Sequence, residues 1–230
     1  MLTKKLMLLG GVIAVLGGCG QTTSTDSNTS TANIAMGNTS ATSAAPAVNR
    51  VRGVITAIGT DALTVQTYDG KSATVPLDAN TKFAWVVKSD LSTLKDGDFI
   101  GTATTGPDDA LRAVELVIFP EAMRGTGEGH YPWDVPGAVA AAGGGTSGSS
   151  AMTNGTVTGG AGKPGETKLS ISYKGGKAQV VVPVGTPIVR FEPAERTVLV
   201  KGQKLFAIVS ADAKGARSVA VGKDGLTPPM

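Results

Sequence analysis

The stretch FPEAMRGTGEGHYPWD, residues 119–134, gathers most of the side chains in this sequence that could do chemistry. It holds the chain's only histidine, His130, and one of its two tryptophans, Trp133, together with three glycines at alternate positions. An imidazole close to carboxylates can bind a metal or move a proton. Tryptophan and arginine are enriched where proteins bind partners. This segment, which we call the strap, is therefore the first candidate for a site.

A metal site or a catalytic site in the strap is the weaker interpretation. Three carboxylates lie near His130 in the sequence: Glu121, Glu128 and Asp134. Catalytic zinc sites usually use more than one His or Cys, and the sequence has neither HExxH nor CxxC. Nor does it have the GxSxG motif of a serine nucleophile, and Pro132 prevents the helix that a phosphate-binding glycine loop requires. We expect no metal, no cofactor and no enzymatic activity.

A binding role agrees better with the composition of the strap. The residues expected to contact a ligand or partner are Arg124, Glu128, His130, Trp133 and Asp134. The alternative is purely structural: large side chains of the strap pack between two domains, Arg124 pairs with a local acid, and His130 makes a structural hydrogen bond. Both interpretations stay open on the sequence alone.

The N-terminus has the pattern of a bacterial lipoprotein signal. Lys4 and Lys5 precede an apolar run, residues 6–18, which is shorter than the roughly 20 residues that span a bilayer. The run ends in Leu-Gly-Gly before Cys19, the only cysteine, and this ending resembles a lipobox. We expect residues 1–18 to be removed and Cys19 to be acylated. By the sorting rule for such proteins, Gly20 favours the outer membrane, facing the periplasm.

Residues 19–47 are rich in Ser, Thr, Asn and Ala without apolar periodicity, which predicts a flexible tether. Removal of residues 1–18 would leave 19 basic residues against 18 acidic ones. A charge so close to neutral, with few aromatic residues, argues against nucleic-acid binding. A hydrolase and a nucleic-acid binder are therefore the least favoured functions.

Beyond the tether, short alternating segments separated by Gly, Asp and Pro predict an all-β fold. The pattern occurs twice. Gly97 and Gly202 are separated by 105 positions, as are Arg112 and Arg217. We expect two tandem small OB-like β-barrel units, residues 48–119 and 152–223. The strap and a Gly/Ala/Ser-rich linker, residues 120–151, would join them, and residues 224–230 would form a C-terminal tail.

The paired units, the turn LKDGDFIG, the strap and the tail VGKDGLTPPM together resemble a family of bacterial secreted proteins and lipoproteins. Its repeated unit is similar to domain of unknown function 5666. The resemblance covers residues 50–230, and it implies a fold and a cell-envelope address but no established activity.

The sequence thus favours a membrane-tethered envelope lipoprotein that acts as a non-enzymatic binding or structural module. Its expected partners are the lipid bilayer, through acylated Cys19, and an envelope protein or a small ligand. The alternative is an accessory protein of the envelope that binds a metal or small ligand through the His130 strap.

Overall fold

The computed structural model describes residues 48–134, 150–161 and 165–229, and these residues form thirteen β-strands and four single turns of 3₁₀ helix. No α-helix occurs in these three ranges, so the predicted all-β class is confirmed. The signal sequence, Cys19 and the tether lie outside the described residues, as does most of the Gly/Ala/Ser-rich linker. Nor do the described ranges contain a helix long and apolar enough to cross a membrane.

The strands follow the two sequence repeats. The first repeat and the strap contain β1 (Val48–Ile58), β2 (Ala62–Thr67), β3 (Ser72–Pro76), β4 (Lys82–Lys88), β5 (Phe99–Thr105), β6 (Leu111–Ile118) and β7 (Gly129–Pro132). The second repeat contains β8 (Ser150–Gly159), β9 (Thr167–Tyr173), β10 (Gly176–Val182), β11 (Ile188–Ala194), β12 (Lys204–Ser210) and β13 (Ala216–Gly222). The 3₁₀ turns span Leu91–Thr93, Glu121–Met123, Arg196–Val198 and Lys223–Gly225.

Period-two alternation explains why these segments are strands. In β2, Leu63 and Val65 are fully buried while Gln66 is exposed, so one face of the strand enters a core. The chain reverses between β2 and β3 at Gly70, whose φ of 82° lies in the left-handed region that glycine adopts at little cost. The same turn chemistry returns at Gly175, φ 98°, between β9 and β10.

One closed barrel has five strands. β5, β6, β8, β9 and β10 pair in the order β10-β9-β8-β5-β6, and a short parallel pairing of Val180 with Leu111 joins β10 back to β6. Its interior is a cluster of fully buried side chains that includes Ile100, Leu116, Leu169 and Ile171. A closed barrel has no free sheet edges. The predicted presence of a β-barrel is confirmed.

The strands of the two repeats are exchanged between the two hydrophobic cores. The closed barrel combines β8–β10 of the second repeat with β5 and β6 of the first. The second core lies between β1–β3 of the first repeat and β12 and β13 of the second. We call this second set of strands the half-barrel, because no pairing of β3 with β13 closes it within the described residues.

This pairing differs from the predicted arrangement, in which residues 48–119 and 152–223 each close on their own strands. β1 runs antiparallel to β12 over seven residue pairs, and β5 runs antiparallel to β8 over seven. Equivalent strands of the repeats have the same alternation, so a strand finds the same complementary face in either copy. All described strands accordingly belong to a single compact unit.

The two halves meet along β4 and β11, which pair antiparallel in the middle of the sheet. Val86 lies opposite Phe191 in this pair. A third cluster of buried side chains, which includes Val86, Phe191, Phe206, Tyr131 and Trp133, fills the space between the halves. The strap therefore packs at the junction that determines how the closed barrel and the half-barrel are oriented.

Candidate functional site: a groove beside the strap

The strap is ordered because its second half is a strand. β7 pairs antiparallel with β8, from Gly129 opposite Asn154 to Pro132 opposite Ala151. Proline has no N–H to donate and is tolerated at an edge strand such as this one. Between the 3₁₀ turn and β7 the backbone turns at Gly127, with φ 59°, where a Cβ would lie 2.9 Å from Asn154 Nδ2. A side chain at this position would therefore displace the Asn154 amide or the Tyr131 hydroxyl, which lies 3.0 Å from the same point.

Asn154, on β8, holds the strap through its side-chain amide. Its Nδ2 lies 3.3 Å from the Thr126 carbonyl, 3.0 Å from the Gly127 carbonyl and 3.2 Å from Tyr131 Oη, all of which can accept a hydrogen bond. Asn154 is buried, and so is Tyr131. Burial raises the pKa of the Tyr131 phenol to about 12, with a smaller opposing effect from Arg50, so the phenol stays protonated.

Arg124 ties the start of the strap to the closed barrel. Its Nε and Nη2 donate to the two carboxylate oxygens of Glu121 at 2.5 and 2.7 Å, a bidentate pair that lowers the pKa of Glu121. Nη2 also donates to the Gly97 carbonyl at 2.8 Å, and Nη1 donates to Thr156 Oγ1 at 3.1 Å. The guanidinium is thus used for contacts within the protein.

The end of the strap contacts β1 of the half-barrel. Asp134 accepts hydrogen bonds from Arg50 at 2.8 Å and from Arg52 at 2.9 Å, and both contacts are ion pairs. Arg50 Cζ lies 3.8 Å from the centre of the Trp133 ring, within the range of a cation–π contact. Trp133 also packs against Phe206, with ring centroids 6.4 Å apart. Residues 133–134 therefore clamp the strap onto the half-barrel.

His130 lies on the other side of the strap, away from the half-barrel. It is buried, its Nδ1 is 2.8 Å from Thr153 Oγ1, and its Nε2 is 3.5 Å from Asp108 Oδ1. Its ring stacks on that of Tyr173 with centroids 6.1 Å apart. Both nitrogens thus face protein groups, which is the structural arrangement that the sequence left open. In the described ranges, no group of three or more His, Cys, Asp or Glu side chains could hold a metal ion.

A groove of about 1100 Å³ lies beside the strap, between it and the half-barrel. Its apolar part is made by six aromatic and two methionine side chains: Phe83, Phe119, Tyr131, Trp133, Phe191, Phe206, Met123 and Met152. The rings contact one another: Phe119 meets Phe191 edge to face at 5.4 Å, and Tyr131 lies 6.1 Å from Trp133. Ligand pockets of about 300–1000 Å³ lined by aromatic side chains and a few polar groups are typical small-molecule sites.

The polar part of the groove is formed by loops around the half-barrel and by the first residues of β4 and β13. It contains three acidic and three basic side chains: Asp61, Asp78, Glu195, Lys82, Arg196 and Arg217. Backbone contacts join these loops. The Leu77 N–H donates to the Asp61 carbonyl at 2.7 Å, and Lys82 lies opposite Ser218 in the parallel β4–β13 pair. The Arg196 guanidinium donates to the Gly59 carbonyl at 2.5 Å, which completes this charged wall.

Of the five binding residues predicted in the strap, only Trp133 lines the groove. Arg124, Glu128, His130 and Asp134 lie outside its lining and make the contacts that fix the strap, Glu128 by accepting a hydrogen bond from the Lys174 N–H at 3.1 Å. Their role toward an outside partner stays a prediction. No sequence pattern singled out Phe206, Phe191 or Met152, because they occupy ordinary apolar positions of strands. One sequence signal was present, a difference between the repeats: the second repeat has an aromatic residue, Phe206, at the position where the first repeat has Gly101.

Glu115 is a buried carboxyl on β6, near the junction of the two halves. It is 3% exposed, and its Oε1 has no hydrogen-bond partner among the described residues. Burial raises the pKa of Glu115 to about 8, and the positive charge of Arg52 opposes part of that rise. The position equivalent to Glu115 in the second repeat is Ala220, so the carboxyl is a feature of one repeat.

Comparisons of the chain with protein-family models, with curated proteins and with solved structures found no match. The resemblance to domain of unknown function 5666 stays a prediction.

Proposed function

We propose that this protein is a non-enzymatic binding module of the bacterial cell envelope and that the groove beside the strap is its ligand site. One observation carries the proposal. Both repeats and the strap contribute aromatic side chains to one concave surface of about 1100 Å³, next to a wall of charged groups. Concave, mainly apolar surfaces with a few convergent polar groups are where proteins bind small molecules.

The arrangement of the strap supports binding in the groove over binding on the strap's outer side. Trp133 and Tyr131 face the groove, whereas the ring nitrogens of His130 are directed to Thr153 and Asp108. The alternative, a metal or ligand held by the His130 strap, would require His130 to give up these contacts. A groove whose walls are fixed by buried contacts also binds at a smaller cost in entropy than a loose loop does.

The envelope address is part of the proposal, and it depends on the signal pattern before Cys19. Acylation of Cys19 would hold the folded unit on a membrane at the end of a tether. Cys19→Ser should move the protein from the membrane fraction to the soluble fraction and abolish incorporation of labelled palmitate. An unmodified N-terminus in the wild-type chain would refute the lipoprotein assignment.

Binding in the groove is tested with the uncharged fluorescent probe N-phenyl-1-naphthylamine, whose emission rises in apolar surroundings. Ser218 lines the groove from β13 and is half-buried, so Ser218→Phe should fill part of it and weaken probe binding at least tenfold. Ser72→Phe, on the exposed surface of β3, is the matched control and should bind as the wild type does. Equal binding by all three proteins would refute the groove as the site.

A further inference from the structure

The groove separates an apolar part from a charged part, and this separation identifies a class of ligand. We infer that it takes a single-chain amphiphile with a zwitterionic head. The apolar chain of the amphiphile would lie against Trp133 and Phe206, and its head would lie at the charged side chains around Lys82 and Arg217. The inference rests on the proposed binding role of the groove and adds to it the chemistry of the ligand.

The apolar part of the groove is better suited to a flexible alkyl chain than to a rigid polar group. Trp133, Phe206 and Met152 are all at least nine-tenths buried and still line the groove, so their ring faces and thioether form its floor. Met123 and Ile208 are half-buried on its walls. Methionine adapts to irregular apolar shapes, and aromatic rings give large contact areas. Such a surface accepts methylene groups without requiring hydrogen bonds from them.

The charged part of the groove determines which charge the head group of the ligand should have. Arg50 also lines the groove, but it is ion-paired with Asp134, a carboxylate that it shares with Arg52. The other charged side chains of the lining are Lys82, Arg196 and Arg217 against Asp61, Asp78 and Glu195. A purely anionic head would meet three carboxylates, and a purely cationic head would meet three cations, so each would be opposed by like charges. A head with both charges can pair with both kinds of side chain.

Two of these cations are available for such a head. In the described residues, neither Lys82 nor Arg217 has an ion-pair or hydrogen-bond partner for its side chain, and both side chains are exposed. Arg112, the residue equivalent to Arg217 in the first repeat, lies 3.5 Å from Glu166 and outside the groove. The two arginines therefore share a strand position and differ in surroundings, which makes Arg112 a matched control.

The fluorescence of Trp133 reports on the apolar part directly. Trp85→Phe leaves Trp133 as the only tryptophan of the full chain. Amphiphiles with a brominated alkyl chain, used below their micelle concentrations, should quench Trp133 when the chain occupies the groove. With a phosphocholine head, binding should tighten about threefold to fourfold for each methylene added to the alkyl chain. This is the increment expected because burial of one methylene contributes about 0.8 kcal/mol.

The charge preference for the head group is tested with amphiphiles of one alkyl-chain length in the same quenching assay. The phosphocholine head is compared with sulfate, trimethylammonium and maltoside heads. We expect phosphocholine to bind at least tenfold more tightly than either singly charged head. Lys82→Gln combined with Arg217→Gln should remove that preference and leave maltoside binding unchanged, while Arg112→Gln should change neither.

The outcomes separate the inference from the proposed function. Quenching that is equal for all heads would overturn the zwitterionic assignment and leave the groove as a binding site. Affinity that does not depend on chain length would overturn the placement of the apolar chain in the groove. Absence of quenching by every amphiphile, together with unaltered probe binding by Ser218→Phe, would overturn both the inference and the proposed function.

Discussion

Val86 and Phe191 occupy equivalent positions of the two repeats, 105 residues apart, and lie directly opposite each other across the β4–β11 pair. A residue that faces its own counterpart marks a local two-fold axis, so the repeats are related by a rotation about this pair. Antiparallel pairing at the axis lets each repeat send three strands to one core and two to the other.

The exchange predicts that a cut between the repeats will not separate them. A protease site inserted within residues 135–149 and cleaved completely should give two pieces in denaturing electrophoresis. Under native conditions the two pieces should elute together at the volume of the intact protein, because each hydrophobic core contains strands of both. Separation of the pieces without denaturant would contradict the observed strand pairing.

Trp133 should be the strap residue on which stability depends most. It is 9% exposed and packs against Arg50, Tyr131 and Phe206. Trp133→Ala should lower the free energy of unfolding by about 3–5 kcal/mol, as is usual when a large buried aromatic side chain is truncated. Tyr68→Ala, at a side chain that is 55% exposed, should change it by no more than about 0.5 kcal/mol. Urea unfolding measures both, and comparable losses would contradict the packing of the strap.

Loss of the Asn154 amide should loosen the strap locally. Asn154→Ala removes the donor that serves two strap carbonyls and Tyr131 Oη, so we expect a loss of about 1–3 kcal/mol in the free energy of unfolding. Trypsin should also cut after Arg124 much faster than in the wild type. Asn49→Ala, at an exposed position of β1, is the control and should leave the rate of cleavage at Arg124 unchanged.

Glu115 should make stability depend on pH. Its pKa is raised from the ordinary 4.5 to about 8, so between these values the folded protein holds a proton that the unfolded chain has lost. Stability contributed by this group is therefore greatest below pH 4.5, falls as the pH rises, and is fully lost above pH 8. The slope reaches at most about 1.4 kcal/mol per pH unit.

Glu115→Gln should remove this slope, because the amide cannot ionise. Urea unfolding at pH 5, 6.5 and 8 measures it, with about 1 kcal/mol as a difference that can be resolved. Glu195→Gln, at an exposed carboxyl, is the control and should keep the slope of the wild type. Parallel profiles for the wild type and Glu115→Gln would show that the buried carboxyl is not the cause.

Local patterns predicted the all-β class and the ordered strap, but not which strands pair. The alternation that buries Leu63 and Val65 is the same in Leu169 and Ile171 of the second repeat. Each of these faces can be covered by β5 or by β12, since Ile100 and Leu205 are equivalent buried residues. Pairing is then decided by how the chain reaches its partner, and a periodicity of two contains no such information.

The candidate site was predicted only in part, because it too depends on how distant segments of the chain come together. Trp133 stood out because tryptophan is enriched where proteins bind partners and the strap is rich in large side chains. Arg124 and His130 stood out as polar residues, yet both are used to hold the strap. Phe206 and Met152 line the groove only because the two halves meet at the β4–β11 pair, and that meeting is a tertiary property.

The order of synthesis acquires a particular importance in a protein with exchanged strands. β1–β3 are made first, but their partners β12 and β13 are made last, so the half-barrel core cannot close until nearly the whole chain is available. The closed barrel must likewise wait for β8–β10. A nascent chain would therefore expose apolar strand faces for most of its synthesis, when unpaired edges aggregate most readily. If the complete chain were delivered unfolded, as in export, all the strands of both cores would be available at once when folding begins.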